Sequence, residues 1–138
     1  MTPLDWLDSL QGSGIRPGLS RMRALLRALG NPHRAYPSII VAGTNGKGST
    51  SAMLTSILNA DGRRTGHYTS PHLVDLRERW TIAGERIDPA LLEKCIVALQ
   101  NLKSDITPTY FEALTLIAFQ AFARANVDIA VLEVGMGG

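Results

Sequence analysis

The feature that most constrains the fold is a glycine-rich bend between a short apolar run and an amphipathic segment. Three glycines surround one lysine in the stretch Gly43-Thr44-Asn45-Gly46-Lys47-Gly48-Ser49-Thr50. The preceding run, 38–42, is apolar and β-branched, which predicts a strand buried in a parallel sheet. Apolar residues then recur at helical spacing and predict an amphipathic helix from Lys47 to about Asp61: Ala52, Met53, Leu54, Ile57 and Leu58. This order of elements brings backbone N–H groups and a positive helix end around an anion.

The lysine in this bend predicts triphosphate binding, although the pattern departs from a Walker A loop. Val41 occupies the place of the first Walker A glycine, and Gly48 separates Lys47 from the following hydroxyl residue. A lysine beside three loop glycines has little packing purpose, so a phosphate ligand is favoured over a ligand-free turn. Ser49 and Thr50 are candidate Mg²⁺ ligands at the phosphates, and either could instead cap the helix.

Composition restricts the class of protein. The 138 residues, 45% of them hydrophobic, are enough for one modest domain with a core. A formal net charge of +2 with scattered basic residues indicates no nucleic-acid surface. The single cysteine, Cys95, excludes an intramolecular disulfide and predicts a buried thiol in a reducing compartment. Because no signal-peptide pattern and no membrane-length apolar run occurs, we expect a cytoplasmic protein without a membrane partner.

Helical and strand patterns alternate along the rest of the chain, which predicts an α/β fold with a mostly parallel sheet flanked by helices. Helical spacing is found near residues 3–10, 19–29, 89–102 and 110–125, and strand patterns near 64–69, 77–87 and 128–134. Residues 77–87 have the pattern of a small hairpin. In the helix near 19–29, the arginines Arg21, Arg23 and Arg27 lie off the apolar face and predict a solvated surface. In the helix near 110–125, Phe111, Leu114, Ala118, Phe119 and Phe122 are expected to face the core.

Two polar segments are candidate site regions, one after the second strand and one at the start of a helix. Ligands in open parallel sheets bind beyond the carboxyl ends of the strands, so Ser70 and His72 should lie near the glycine bend. By itself, His72 is more typical of a loop histidine that closes a turn. Glu112, taken alone, is a carboxylate in a first helical turn, where the helix dipole favours it.

Glu133 interrupts a near-continuous apolar run that predicts a central parallel strand. A buried unpaired carboxylate is costly, so a metal ion or a lysine partner is the simplest explanation for it. If this strand lies beside the first one, Glu133 points toward Lys47 and Ser49, in the position of a Mg²⁺-binding acid in nucleotide enzymes.

Four motifs together resemble the folylpolyglutamate synthase/dihydrofolate synthase family, which is related to the Mur ligases. In chain order the motifs are Gly43 to Ser49, Ser70-Pro71-His72-Leu73, Thr109-Tyr110-Phe111-Glu112 and Glu133 to Gly138. The resemblance covers essentially the whole chain, and four motifs at family-like spacing are highly specific. It implies a P-loop fold of the Mur ligase central-domain type. It also implies an ATP-dependent amide ligase that joins L-glutamate to dihydropteroate or folate through an acyl phosphate.

The resemblance also assigns roles to residues at matching positions. It implies ATP binding by Thr44, Asn45, Gly46, Lys47, Gly48 and Ser49, with Lys47 catalytic. It implies Mg²⁺ ligation by Ser70 and Glu133, with Ser49 as a third ligand. Ser70, Pro71 and His72 resemble the family's loop near the pterin, and the resemblance places Thr109, Tyr110, Phe111 and Glu112 in the pterin-contacting motif. For Glu112 this implied role replaces the dipole interpretation.

The family pattern continues beyond residue 138, so we expect residues 1–138 to be the N-terminal part of the ATP-binding domain. The resemblance also implies a C-terminal domain that helps to bind ATP and glutamate, and we expect residues 1–138 not to include it. We therefore expect no ligase activity from this piece alone, and a monomer for the full-length form. The alternatives are a Mur-type ligase that acts on a UDP-sugar peptide, and a non-catalytic ATP-binding module. The first alternative is disfavoured by Ser70-Pro71-His72 and Tyr110-Phe111-Glu112.

Overall fold

The computed structural model describes residues 1–16, 18–43, 46–71 and 74–134, which form two compact units. The first unit comprises residues 1–35 and 88–121, and the second comprises residues 36–87 and the chain from 122 onward. The elements in chain order are α1 (Pro3–Ser9), α2 (Ser20–Ala28), β1 (Ser38–Val41), α3 (Lys47–Ala60), β2 (Thr65–Tyr68), β3 (Trp80–Ile82), β4 (Glu85–Arg86), α4 (Pro89–Gln100), α5 (Tyr110–Arg124) and β5 (Ile129–Glu133). Short 3₁₀ turns occupy Pro32–Ala35 and Leu76–Arg79.

The first unit is helical, and side-chain caps mark the start of α1 and α4. Thr2 Oγ1 accepts a hydrogen bond from the Asp5 N–H, and the Asp5 side chain accepts one from the Thr2 N–H, which forms a capping box at α1. Asp88 caps α4, with Pro89 at the first helical position as its fixed φ favours. The helices bury an apolar core that includes Leu7, Leu25, Cys95, Ile96, Leu116 and Ile117. The predicted burial of the Cys95 thiol is confirmed.

The second unit is built on a five-stranded sheet with the order β1-β5-β2-β3-β4. β5 pairs in parallel with β1 and β2, whereas β3 pairs antiparallel with β2 and β4. The β3–β4 hairpin turns at Ala83 and Gly84, both at positive φ, which is the backbone that a two-residue hairpin turn requires. The α/β class, the predicted hairpin and the central place of β5 are therefore confirmed.

Helix α3 packs on the sheet through polar side chains, and the amphipathic pattern is wrong about its buried face. Ser51 and Thr55 are buried, while Met53 and Ile57 are 64% and 59% exposed. The Thr55 hydroxyl donates to the Ser51 carbonyl at 2.7 Å, which satisfies it without a partner from the sheet. Hydroxyl side chains four residues apart, such as Ser51 and Thr55, can be buried in this way because each of them has a hydrogen-bond partner.

Three further expectations are corrected. β1 is an edge strand of the described sheet, and its Ile40 is exposed rather than buried in a parallel interior. Arg21 is not on a solvated face, because it pairs with the buried carboxylate of Glu112. Phe111 is 60% exposed and does not join the core that the helical spacing predicted.

Within the described ranges, the helices are all too short or too polar to cross a membrane.

Candidate nucleotide and metal site

The parallel strands β1, β5 and β2 end side by side, and their carboxyl ends form one border of the second unit's sheet. We refer to this border as the edge that holds the site, which is distinct from the edge strand β1. The register pairs Val41 at the end of β1 with Glu133 at the end of β5, and Tyr68 at the end of β2 with Leu132. The glycine bend follows β1, and Ser70 follows β2 by two residues. This edge therefore holds the starting points of the glycine bend and of the Ser70 segment, together with Glu133, as expected for a ligand site in a parallel sheet.

The glycine bend leaves the N-terminus of α3 without a side-chain cap. Gly43 and Gly46 have φ values of 138° and 74°, in the region that side chains disfavour. Gly46 is the residue before the helix, and as a glycine it has no side chain to accept from the first N–H groups of α3. Because uncapped N–H groups carry partial positive charge, this helix end is suited to an anion. The predicted phosphate contacts of Thr44 and Asn45 lie outside the described residues.

Lys47 is held at the same edge by a backbone contact. Its Nζ donates a hydrogen bond to the Val134 carbonyl oxygen at 3.0 Å, and the side chain is half-buried. In the part of the chain that the structure describes, no carboxylate forms an ion pair with Lys47. The ammonium charge is thus positioned beside the uncapped helix end and is available to phosphate oxygens.

Glu133 is buried next to the start of α3, with an exposed fraction of 5%. Its Oε2 accepts a hydrogen bond from the Ser51 hydroxyl at 3.1 Å. A Cβ atom added at Gly48 would lie 4.0 Å from the same oxygen, an ordinary contact distance, so the first turn of α3 lies directly beside the carboxylate. Among residues 1–16, 18–43, 46–71 and 74–134, no cationic side chain pairs with Glu133. A buried carboxylate whose described contact is a neutral hydroxyl favours a cation as its further partner.

The donor set at this edge fits Mg²⁺ better than a softer metal. No group of three His, Cys, Asp or Glu side chains that could hold a metal by itself is found within the described ranges. One carboxylate with hydroxyl and phosphate oxygens is the kind of coordination that Mg²⁺ accepts. Ser70 is half-buried and Ser49 is exposed, and no hydrogen bond in the described chain joins either to Glu133. Their roles as metal ligands stay predictions.

Ser51 and His67 are site residues that the sequence interpretation missed. His67 Nε2 lies 3.0 Å from the Ser51 hydroxyl, and His67 is 8% exposed. Burial lowers the pKa of the His67 imidazole, and the nearby Glu133 carboxylate opposes that shift. Ser51 follows Lys47 by one helical turn, so its position on the same face was available as a signal.

The predicted pterin segments are described only in part. The Ser70–Pro71 peptide bond is cis, and Pro71 is exposed, whereas His72 lies outside the described residues. In the first unit, Thr109 is buried and Tyr110 is half-buried at the start of α5. The exposed ring of Phe111 offers an apolar surface beside them. The pterin role of these segments stays a prediction.

Glu112 anchors the start of α5 with both of its carboxylate oxygens. Oε1 accepts from the Thr109 N–H at 2.9 Å, and Thr109 Oγ1 accepts from the Glu112 N–H at 3.1 Å, which is a capping-box arrangement. Arg21 donates to Oε1 from Nη2 at 3.1 Å and to Oε2 from Nε at 3.3 Å. The carboxylate is therefore committed to protein contacts within the first unit.

Sequence comparison finds proteins that are similar to most of this chain. A dihydrofolate synthase/folylpolyglutamate synthase from Mycobacterium tuberculosis is 46% identical over 137 residues, which cover 90% of this chain and 28% of that protein. No protein-family model matches the chain. The chain is therefore similar to members of the folylpolyglutamate synthase/dihydrofolate synthase family, and it spans a part of their length.

Solved structures of the folylpolyglutamate synthase/dihydrofolate synthase family share the fold. A Yersinia pestis bifunctional folylpolyglutamate synthase/dihydrofolate synthase complexed with AMPPNP and Mn ion is 37% identical, with a TM-score of 0.90. The match covers 100% of this chain and 34% of that one. Escherichia coli FolC in complex with DHPP and ADP is also 37% identical, with a TM-score of 0.91, 100% of this chain covered and 34% of that one. The chain thus spans about a third of the length of these proteins.

Proposed function

We propose that this chain supplies ATP- and Mg²⁺-binding residues of an amide ligase. The ligase adds L-glutamate to dihydropteroate, to folate polyglutamates, or to both, through an acyl phosphate. The observation that carries the proposal is the placement of buried Glu133 beside the uncapped N-terminus of α3, with the Lys47 ammonium at the same sheet edge. Such a site combines a cation ligand with an anion cradle, which is what a metal–triphosphate complex requires.

In the proposed reaction, Lys47 and the N–H groups at residues 46–48 offset the charge on the transferring phosphoryl group. Glu133, Ser70 and Ser49 would hold Mg²⁺, which supplies Lewis-acid stabilisation of the phosphate oxygens when bound. The bound nucleotide and the acceptor carboxylate gain in rate from proximity. The AMPPNP, ADP and Mn named for the similar structures support ATP and a divalent cation as the ligands of this edge.

For the pterin-bearing substrate we propose the two segments that the family resemblance singled out. Phe111 and Tyr110 offer aromatic rings that can stack on a flat heterocycle, and Ser70, Pro71 and His72 form the second segment. Glu112 and Thr109 contribute by fixing the start of α5. The DHPP bound to Escherichia coli FolC supports a substrate of this class.

The proposal also covers the place of this chain in the whole protein, its compartment and its partners. We propose that residues 1–138 form the N-terminal part of the ATP-binding domain, and that the whole enzyme is a cytoplasmic monomer. Its ligands are small molecules, with neither nucleic acid nor membrane as a partner. The scattered basic residues and small net charge support this view.

Calorimetric titration with ATP and Mg²⁺ tests the nucleotide part of the proposal. We expect saturable binding by the chain, and an affinity about 10-fold or more lower in Lys47→Ala, because a charge-assisted hydrogen bond to phosphate is lost. Lys94→Ala is the matched control, since Lys94 is an exposed lysine on α4 and its loss changes net charge equally. Equal binding by both variants, or no binding by the unaltered chain, would contradict the proposed site.

A turnover assay on the whole enzyme tests the substrate part. We expect phosphate release that depends on ATP, on dihydropteroate or a folate, and on L-glutamate together. Release that instead requires a UDP-sugar peptide would overturn the folate assignment in favour of a Mur-type ligase. ATP binding without release under any of these conditions would indicate a non-catalytic module.

A further inference from the structure

We propose that His67 is a positioning residue for Glu133 and that it acts through the Ser51 hydroxyl. The inference rests on the proposed function, because it takes Glu133 as a ligand of the nucleotide-bound cation. The three side chains come from β2, α3 and β5, and all of them are buried. Two hydrogen-bond distances join them, 3.0 Å from His67 Nε2 to Ser51 Oγ and 3.1 Å from Ser51 Oγ to Glu133 Oε2.

The direction of these hydrogen bonds follows from counting protons. An ionised carboxylate only accepts, so the hydrogen bond between Ser51 and Glu133 requires the single hydroxyl proton of Ser51. With that proton used, His67 Nε2 must be the donor in its own contact with the hydroxyl, which makes His67 the Nε2–H tautomer of a neutral imidazole. A neutral ring is the form that burial favours for this histidine.

A competing acceptor explains why the imidazole matters. The Ser51 hydroxyl also lies 3.2 Å from the Gly48 carbonyl oxygen, so its proton has two possible acceptors. A donor at His67 Nε2 holds the Ser51 oxygen in place. Through hydrogen-bond cooperativity it also strengthens the hydrogen bond that the Ser51 hydroxyl donates to Glu133. Oε2 of Glu133 is thereby fixed, which orients the carboxylate for the cation. Outer hydrogen bonds of this kind orient metal ligands and tune metal affinity in proteins.

The test compares a variant that removes the donor with one that restores it. His67→Leu places an apolar side chain in the buried position and removes the donor. His67→Gln instead offers an amide N–H near the position of Nε2. Thr65→Val is the matched control, because Thr65 is buried on the same strand and its hydroxyl bonds Asn59 instead. Mn²⁺ binding in the presence of ATP is followed by electron paramagnetic resonance, and thermal unfolding of each variant is recorded in parallel.

We expect about 10-fold weaker Mn²⁺ binding in His67→Leu, most of the affinity restored in His67→Gln, and little change in Thr65→Val. A purely structural role for His67 would change thermal stability but leave the Mn²⁺ affinity of the folded protein alone. Equal Mn²⁺ affinities in the unaltered chain and in His67→Leu would therefore overturn the inference. So would a failure of His67→Gln to bind better than His67→Leu.

A second measurement does not depend on the metal or on the stability of a variant. Long-range ¹H–¹⁵N correlation spectra of the unaltered protein report the histidine tautomer, and we expect the proton of His67 on Nε2. A proton on Nδ1 alone would overturn the inference while leaving the proposed function intact. If the unaltered chain binds no Mn²⁺ with ATP, the proposed function fails and the inference fails with it.

Discussion

Replacing Gly66 with alanine should destabilise the protein, because a methyl group at this position of β2 would have no room beside the Phe122 ring. A Cβ atom at this position would lie 2.5 Å from both Cγ and Cδ1 of Phe122 and 2.9 Å from its Cδ2. Ordinary contacts begin near 3.4 Å, so the atoms would have to separate by about 1 Å. Gly66 is at the same time paired with Ala130 on one side and Ile82 on the other, which restrains any movement of the strand.

The expected cost follows from the burial of the ring. Phe122 is fully buried, so it cannot swing into solvent to make space for the new methyl group. Overpacking of a well-packed core costs about 1–3 kcal/mol. Urea denaturation followed by circular dichroism should therefore show a lower midpoint for Gly66→Ala, with an unchanged dependence on urea concentration.

A double-mutant cycle separates the cost of this clash from the general cost of placing a side chain at a glycine position. Phe122→Leu removes ring atoms, so Gly66→Ala should cost less in that background than in the original protein. Gly62→Ala is the control, because Gly62 has a φ of 83° and open space around it, and its cost of about 1–2 kcal/mol should not depend on Phe122. A Gly66→Ala effect below about 0.5 kcal/mol, or one that is additive with Phe122→Leu, would refute the packing argument.

Two other predictions concern charges. Arg21→Met should lower the free energy of unfolding by about 2 kcal/mol, because the buried Glu112 carboxylate loses its charged donor, whereas Arg23→Met on the exposed side of α2 should have little effect in the same urea titration. The pKa of His67 is lower in the folded protein than its ordinary value of 6.5, with burial as the main cause and the Glu133 charge opposing it. The unfolded chain therefore binds more protons as pH falls through this range, and stability should decrease below about pH 6.5, by at most about 1.4 kcal/mol per pH unit for this group. His67→Gln should remove that part of the slope, and an identical pH dependence in both proteins would contradict it.

The parts of the site that the sequence predicted are those encoded by local patterns. A continuous apolar run with one carboxylate is enough to predict a central strand with a costly acidic residue, and Glu133 lies on such a strand. Glycines flanking Lys47 predict an open turn and a helix that begins there, which α3 does. These features depend on a few consecutive residues, so no knowledge of the remaining chain was needed.

The parts that the sequence could not predict depend on which elements become neighbours. Ser51 in α3 and His67 in β2 meet only because β2 lies beside β5 and α3 covers both strands on one face. The pairing of Arg21 with Glu112 joins residues 91 positions apart, and nothing local to either residue indicates it. Helical periodicity also misjudged α3, since it ranks apolar side chains as buried although hydroxyl groups with partners can take their place.

Paramagnetic broadening by Mn²⁺ with ATP tests the central claim most directly, because it locates the cation on the protein. In ¹H–¹⁵N spectra of the chain, we predict the strongest loss of intensity at residues 46–49 and at Glu133 and Val134. Ile129 and Ser38 start their strands at the other end of the sheet, about 13 Å away along the five-residue β5 and about 10 Å away along the four-residue β1, and both should lose less intensity. Strongest broadening at that opposite end, or the same pattern in Glu133→Gln as in the unaltered chain, would contradict a cation bound between Glu133 and the phosphates at Lys47.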